Sequence, residues 1–413
     1  MKQRHSFSRA DRADWPAAIL GLSSPDCPPT ERPLRVALFS GNYNCIRDGA
    51  NQALNRLVAF LQAEAGACVR VYSPTVANPA FEPAGDLVSV PSFGIPGRRE
   101  YRLAMGLPDA VRDDVRAFAP DIIHLSAPDI LGRSAQRFAR QLGVPVVTSL
   151  HTRFETYLEH YGLRFLKRRI ERYLGKFYEG SDHVLVPNTM IADEMRDAGL
   201  RTDISVWGRG VDRTLFTPGA RDLDWRRSHG YADDDVVVLF FGRLVREKGL
   251  DVFADVIDAA RAMGCRLRPL VVGDGPGRGE FARRLANVNF VGHLAGAELG
   301  RAVASADILL NPSTTEAFGN VTLEAMAAGL AIVSADVPSA RSLVDNGRTG
   351  LLVPASDVRA YAAAIERLIR VPMDRVRLAK AAVAEARRYE WNATLQAVVD
   401  AYLLCLAGDR PGP

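Results

Sequence analysis

Residues Val236 to Phe253 read VVVLFFGRLVREKGLDVF. Six apolar residues come first, then a glycine, then a charged loop that leads into a helical pattern. Six residues is strand length, far short of the ~18 that a membrane span needs. An unbroken apolar strand, as opposed to an alternating one, is buried on both faces, as in a parallel sheet covered by helices. This stretch therefore predicts a strand–loop–helix unit of an α/β domain, and it begins past the middle of a 413-residue chain.

Working outward, the same unit recurs on both sides. Upstream, LRVALFS (Leu34 to Ser40) reads as a buried strand and Asp48 to Ala65 as a helix. CVRVYS, DLVSV, DIIHLS, VPVVTSL and HVLVPN are further strands, with helical segments between most of them. Downstream, RLRPLVVG, NVNFVG, ADILLNPS and AIVSA repeat the pattern. Between the two series, SVWGRGVDRTLFTPGARDLDW carries Gly208, Gly210, Pro218 and Gly219 and reads as a connector. The expected fold class is α/β, with two doubly wound Rossmann-like domains facing across a cleft. Such sheets bind ligands at the carboxyl ends of their strands. The expected division is a disordered tail over 1–33, a first domain over 34–207, a connector over 208–228, a second domain over 229–390, and a C-terminal helix and tail over 391–413.

Hydrophobic residues make up 47% and charged residues 24% of the chain, a globular profile. A net charge of +4 is too small for a nucleic-acid binder of this length. The five cysteines have no metal-ligand or redox spacing, which fits a reduced, cytoplasmic setting. The tail lacks the apolar core of a signal peptide.

The chemistry gathers in the second half. Arg243 and Lys248 follow the strand at 236–241, and a basic pair beside a helix start suits a diphosphate. Alone, they could equally be solvated loop charges. STTEAFGNVTLEAMAAG (Ser313 to Gly329) holds Glu316 and Glu324 eight positions apart. On one helix that spacing is about 12 Å along the axis, too far for a carboxylate pair acting on one bond. A helix starting near Gly319 or Asn320 and stopping at Gly329 puts Glu316 before it, pointing into the cleft, and Glu324 about one turn inside. Free amides around Phe318 to Val321 then form an anion site. The alternative, a capping Glu316 and a solvent-facing Glu324, stands level with this on spacing alone. VVGDGPGRG resembles a dinucleotide fingerprint but lies in mid-chain, so a tight turn is the better reading than NAD binding. Asp233-Asp234-Asp235 precedes a strand and reads as a solvated turn, not a metal site.

Taken together, the residues resemble a known family: the GT-B nucleotide-sugar glycosyltransferases of family four, the retaining group that includes GDP-mannose-dependent mannosyltransferases and sulfolipid synthases. The features that carry the resemblance are GNYNCIRDGANQAL, LHTRF, WGRGVD, FFGRLVREKG, VVGDGPGR, FVGHL, EAFGNVTLE and NGRTGLLV, in that order. The resemblance implies that Arg243 and Lys248 hold the donor diphosphate and that Glu316 lies near the donor sugar. It also implies that Phe318, Gly319, Asn320 and Val321 cradle sugar and phosphate, and that Glu324 binds the ribose. His293 passes the nucleobase, Gly49 approaches the donor phosphate from the other domain, and His151 contacts the donor sugar. The implied reaction moves a hexose from a UDP- or GDP-linked donor to a lipid or glycan acceptor, with no cofactor and no metal. Alternatives are an epimerase or phosphorylase of the same fold, or a dehydrogenase built on VVGDGPGRG. Relatives commonly have a glycine-rich loop where this chain has VPSARSLVDNGRTG.

YGLRFLKRRIERYLGKFY (Tyr161 to Tyr178) predicts a helix with an apolar stripe through Leu163, Leu166, Ile170, Leu174 and Phe177. Arg164, Lys167, Arg168, Arg169, Arg172 and Lys176 oppose only Glu171. Such a helix either packs its stripe on the sheet or lies on the anionic inner face of the cytoplasmic membrane.

Overall fold

The computed structural model describes residues 32–46, 48–95, 98–151, 167–285 and 287–407. The first series forms β1 (Arg35–Phe39), β2 (Cys68–Ser73), β3 (Asp86–Ser89), β4 (Ser92–Ile95), β5 (Arg98–Ala104), β6 (Ile122–Leu125), β7 (Val146–Ser149), β8 (His183–Val186) and β9 (Asp203–Val206). Seven of these make one sheet in the order β3-β2-β1-β6-β7-β8-β9, parallel throughout. The second series forms β10 (Val237–Phe241), β11 (Arg268–Val272), β12 (Asn289–Gly292), β13 (Ile308–Asn311), β14 (Ala331–Ala335) and β15 (Leu351–Val353). They make a six-stranded parallel sheet in the order β12-β11-β10-β13-β14-β15. Two doubly wound α/β units are therefore present.

Unbroken apolar strands split their side chains between two cores. In β10, Val238 and Phe240 join one cluster while Val237 and Leu239 join the other. In β1, Val36 and Leu38 face one core while Ala37 and Phe39 face its opposite. Both faces of each sheet are thus buried, as parallel pairing requires. Each order reverses beside its first strand, between β1 and β6 and between β10 and β13, which opens a crevice at the carboxyl ends.

Four features go beyond the sequence reading. The hairpin β4-β5 is an antiparallel pair outside either sheet. Ser205 and Val206, which open the connector-like stretch but fall inside the expected first domain, are the end of β9 and pair with Leu185 and Val186. The helix expected over Asp48 to Ala65 is Gly49–Ala63, because the Asp48 side chain accepts from the Asn51 amide and caps it. The last helix, Trp391–Ala407, crosses back to the first unit. Its Leu395, Val398, Val399 and Tyr402 lie in one core with Val36, Leu54, Leu57 and Val147.

The basic helix is described from Lys167 to Tyr178, and its earlier residues, 161–166, lie outside the described part, as does nearly all of the tail. Phe177 and Tyr178 are buried and Leu174 packs on the same core, while Arg168, Arg169, Arg172 and Lys176 are exposed. Of the stripe, Leu174 and Phe177 pack on the protein, Leu163 and Leu166 lie outside the described residues, and the described cations face outward. Among the described residues, no helix is long and apolar enough to cross a membrane.

Candidate active site

Five strand ends meet the cleft. The loop after β1 leads to Gly49, β7 leads to His151, β10 to Arg243 and Lys248, β12 to His293, and β13 to Glu316.

The segment at Glu316 folds as its sequence demands. Gly319 takes a φ of 100°, a left-handed value that a side chain disfavours. The helix then runs Asn320–Ala328 and stops at Gly329, whose φ is 89°. Its first backbone bond runs from the Leu323 amide to the Gly319 carbonyl, so the helix makes no use of the amides before it. Phe318 is buried edge-on against Tyr389, with ring centroids 6.2 Å apart. Val321 is partly buried beside it.

Glu316 and Lys248 are bonded to each other. Nζ donates to Oε1 at 2.5 Å, with about a fifth to a quarter of each side chain exposed. Burial would raise the Glu316 carboxyl, but the Lys248 charge and hydrogen bond overcome it and hold the group below its ordinary range. Glu324 differs. Burial pushes it up to about 8, with only the Arg56 charge opposing. The two glutamates thus sit in opposite electrostatic states at neutral pH: Glu316 ionised, Glu324 largely protonated.

Arg243 donates from Nη1 to the Tyr101 hydroxyl at 2.8 Å, and its guanidinium carbon lies 5.7 Å from that ring centroid. Tyr101 belongs to β5, so the hairpin reaches across the cleft. It is tied to the loop after β1 by Asn42, which donates to the Arg102 carbonyl at 3.0 Å and accepts from the Arg102 amide at 2.7 Å. The glycines of VVGDGPGRG serve the same loop. A Cβ on Gly273 would lie 1.9 Å from the Gly242 carbonyl oxygen, and one on Gly275 would lie 2.5 Å from that of Leu244. The Leu244 amide donates to the Asp274 carbonyl, and the Gly277 amide to that of Leu244. The tight-turn reading holds: these glycines let one strand-end loop brace the loop that carries Arg243. Asp233 is ion-paired with Arg227 at 2.6 Å, and Asp235 accepts from the Ala232 amide, as a turn would have it.

From the first unit, Gly49 lies against Asn320: a Cβ there would fall 2.4 Å from the Asn320 side-chain nitrogen. Asn320 Oδ1 is buried with no hydrogen-bond partner among the described residues, leaving an acceptor in the cleft. Asn188 spans the cleft as well, donating to the Ala317 carbonyl at 3.2 Å. Asp48 is held above its ordinary range by burial, against hydrogen bonds from the Asn51 and Ala50 amides and the charges of Arg243 and Arg209.

His151 is partly buried. Its Nε2 is 2.8 Å from Ser149 Oγ and its Nδ1 is 2.7 Å from Arg209 Nη2. Burial first, then the Arg209 charge, hold it well below its usual range, so it is neutral. Ser149 continues to His124 at 2.8 Å, and His124 to Tyr402 at 2.6 Å. His124 is fully buried and pushed down to about 3, a structural imidazole. His293 is exposed in the loop after β12. Thus Glu316, Lys248, Phe318, Gly319, Asn320 and Gly49 come together directly. Arg243 joins them through its loop and Tyr101. His293 stands apart at the rim.

The residues that sequence reasoning missed are Tyr101, Asn188 and Arg209. No spacing marks them; each matters through a contact that crosses between elements.

Two family models match the chain: glycosyltransferase family 4 over residues 47–215, and glycosyl transferases group 1 over residues 235–370. A GDP-mannose-dependent alpha-mannosyltransferase of Mycolicibacterium smegmatis is 32% identical over 81% of this chain and 89% of its own. A sulfoquinovosyl transferase of Arabidopsis thaliana is 28% identical over 88% of this chain and 72% of its own. Among solved structures, the sucrose-phosphate synthase of Thermosynechococcus elongatus superposes with a TM-score of 0.73 at 21% identity, covering 91% of this chain and all of that one. That likeness concerns the fold, which is GT-B.

Proposed function

We infer that this chain, which belongs to the group 1, family 4 glycosyltransferases and moves a sugar from a nucleotide sugar, transfers a hexose with retention at the anomeric carbon. The observation that carries the reading is the Lys248–Glu316 pair set just before the open amide end of helix Asn320–Ala328. As the glycosidic bond to the diphosphate breaks, negative charge gathers on the leaving phosphate. In this reading Arg243, Lys248 and the helix N-terminus stabilise it, which is electrostatic catalysis that calls for no metal or cofactor. On arrival, the diphosphate competes with Glu316 for Lys248 and frees that carboxylate for a sugar hydroxyl. Glu324, Asn320 and Gly49 then take the ribose and phosphate ends, and His293 lies toward the base.

The first donor to test is GDP-mannose, for which the mannosyltransferase relative is named, beside UDP-linked hexoses. A thermal-shift screen reads donor choice, because a bound donor stabilises the fold by mass action. Proton NMR of the product with a lipid or glycan acceptor then reads the anomeric configuration. An inverted product sinks the proposal of retention, and loss of transfer on chelation sinks metal independence.

The exposed cations Arg168, Arg169, Arg172 and Lys176 support a second element: recruitment to an anionic membrane where a lipid acceptor resides. Co-sedimentation with vesicles of rising anionic-lipid content tests it, and indifference to lipid charge ends it.

A further inference from the structure

Arg209 is only 4% exposed, yet among the described residues no carboxylate forms an ion pair with it. Its Nη1 donates to the carbonyls of Trp207 at 3.3 Å and Gly208 at 2.9 Å, and its guanidinium carbon lies 5.1 Å from the Trp207 ring centroid. Burial lowers it to about 10, with the Asp48 charge opposing, so it is still a cation at neutral pH. Among the described residues only the Asp48 charge offsets the burial of this cation, and a buried cation persists where its donors have work to do.

Those donors decide the state of His151. A guanidinium has no acceptor, so the 2.7 Å contact from Arg209 Nη2 requires a lone pair on Nδ1. The single proton of the neutral ring is then on Nε2, which donates to Ser149 Oγ at 2.8 Å. Protonating His151 would set two N–H groups against each other at the Arg209 contact. The ring is also wedged edge-on against Trp207, with centroids 4.9 Å apart at 77°. Among the described residues, the titratable groups that act on His151 are Arg209 beside it and His124 through Ser149. Neither is an acid that would favour protonation.

We propose that Arg209 is a positioning residue that fixes His151 as the neutral Nε2–H tautomer in a single ring pose. The chain Arg209–His151–Ser149–His124–Tyr402 then anchors the cleft to the C-terminal helix. The role follows from the chemistry. An anionic diphosphate entering the cleft favours protonation of a nearby histidine. A glycosyl centre losing its leaving group develops positive charge, against which an imidazolium would stand as a like charge. Arg209 removes that option, and His151 serves as a fixed neutral group and not as a proton donor. The inference rests on the reading that His151 faces the donor sugar.

The test uses the full chain with 15N-labelled histidine. The His151 resonances are assigned by their loss in His151→Phe. In the wild type, Nδ1 is expected unprotonated and Nε2 protonated, unchanged from about pH 5.5 to 8.5. In Arg209→Met, His151 is expected to titrate within that range. Transfer should gain an acid limb, and kcat should fall by about tenfold or more while the donor KM changes little, since a wrongly held tautomer is costly to rate. Arg209→Lys supplies one donor and should keep the tautomer while recovering part of kcat, which also covers the case in which the methionine variant does not fold. A wild-type Nδ1–H tautomer overturns the proposal, as does an Arg209 variant with wild-type tautomer and pH profile. If the tautomer result holds but His151→Phe transfers sugar at the full rate, the reading of His151 at the sugar fails and the lock itself stands.

Discussion

The Nζ of Lys248 and the Oε1 of Glu316 are 2.5 Å apart, joining two loops whose residues are 68 positions apart in sequence. Each is the other's partner until an anion arrives. Lys248→Ala removes the cation and strands a mostly buried carboxylate, whose pKa should then rise. We expect a loss of about 1–3 kcal/mol in stability and a fall of about a hundredfold in transfer. Glu316→Gln should lose transfer while melting near the wild-type temperature. Circular dichroism melts beside a transfer assay separate the two; a Lys248→Ala enzyme with unchanged turnover would count against the diphosphate assignment.

Tyr101 accepts from Arg243 across the cleft at 2.8 Å. Tyr101→Phe keeps the ring under the guanidinium but removes the hydroxyl. The lost hydrogen bond is worth about 1 kcal/mol, so nucleotide-sugar affinity should weaken about fivefold. Isothermal calorimetry with GDP and UDP measures this, and an unchanged Kd would show that the hairpin does not set Arg243.

Glu324 is raised to about 8 by burial, against an ordinary carboxyl near 4.3 in the unfolded chain. The folded state therefore binds more protons than the unfolded state between these values. Stability is fully present below the unfolded pKa and is progressively lost as pH rises toward 8. Glu324→Gln, neutral at every pH, should match the wild-type melting temperature near pH 4 and exceed it increasingly up to pH 8. If the carboxylate accepts from ribose hydroxyls, nucleotide binding near pH 7 should release a proton, seen as a buffer-dependent heat that Glu324→Gln abolishes.

Gly273 has a φ of 135° and no room for a Cβ. Gly273→Ala must push the β11 loop away from the loop carrying Arg243. We expect a loss of about 2 kcal/mol or more from strain and displaced packing, together with weaker donor binding. Full affinity in a destabilised variant would confine the glycine to a structural role.

Much of this fold was legible because buried parallel strands announce themselves as unbroken apolar runs, and VVVLFF and LRVALFS do so plainly. The start of helix Asn320–Ala328 was legible too, since Gly319 and Gly329 bracket it and both take left-handed values. The hairpin was not. SFGIPGRREYRLA mixes proline, glycine and arginine and lacks alternation, and its pairing is held from outside by Asn42. DISV was hidden because a four-residue strand with two exposed ends has little apolar signal. In the site, spacing left the two glutamates open between cleft and cap, the family resemblance placed them, and neither gave their charge states. Those depend on Lys248 reaching one of them and not the other. Arg209 entered only as part of WGRGVD, between two glycines, and tertiary burial alone singles it out.

Helix Trp391–Ala407 completes the core around the first strand. Leu395, Val398, Val399 and Tyr402 cover Val36, Leu54 and Leu57. The core of the first unit is thus drawn from residues on both sides of the second unit in sequence. A chain cut before Trp391 would leave Val36, Leu54 and Leu57 uncovered, although the sequence of the first unit itself is intact.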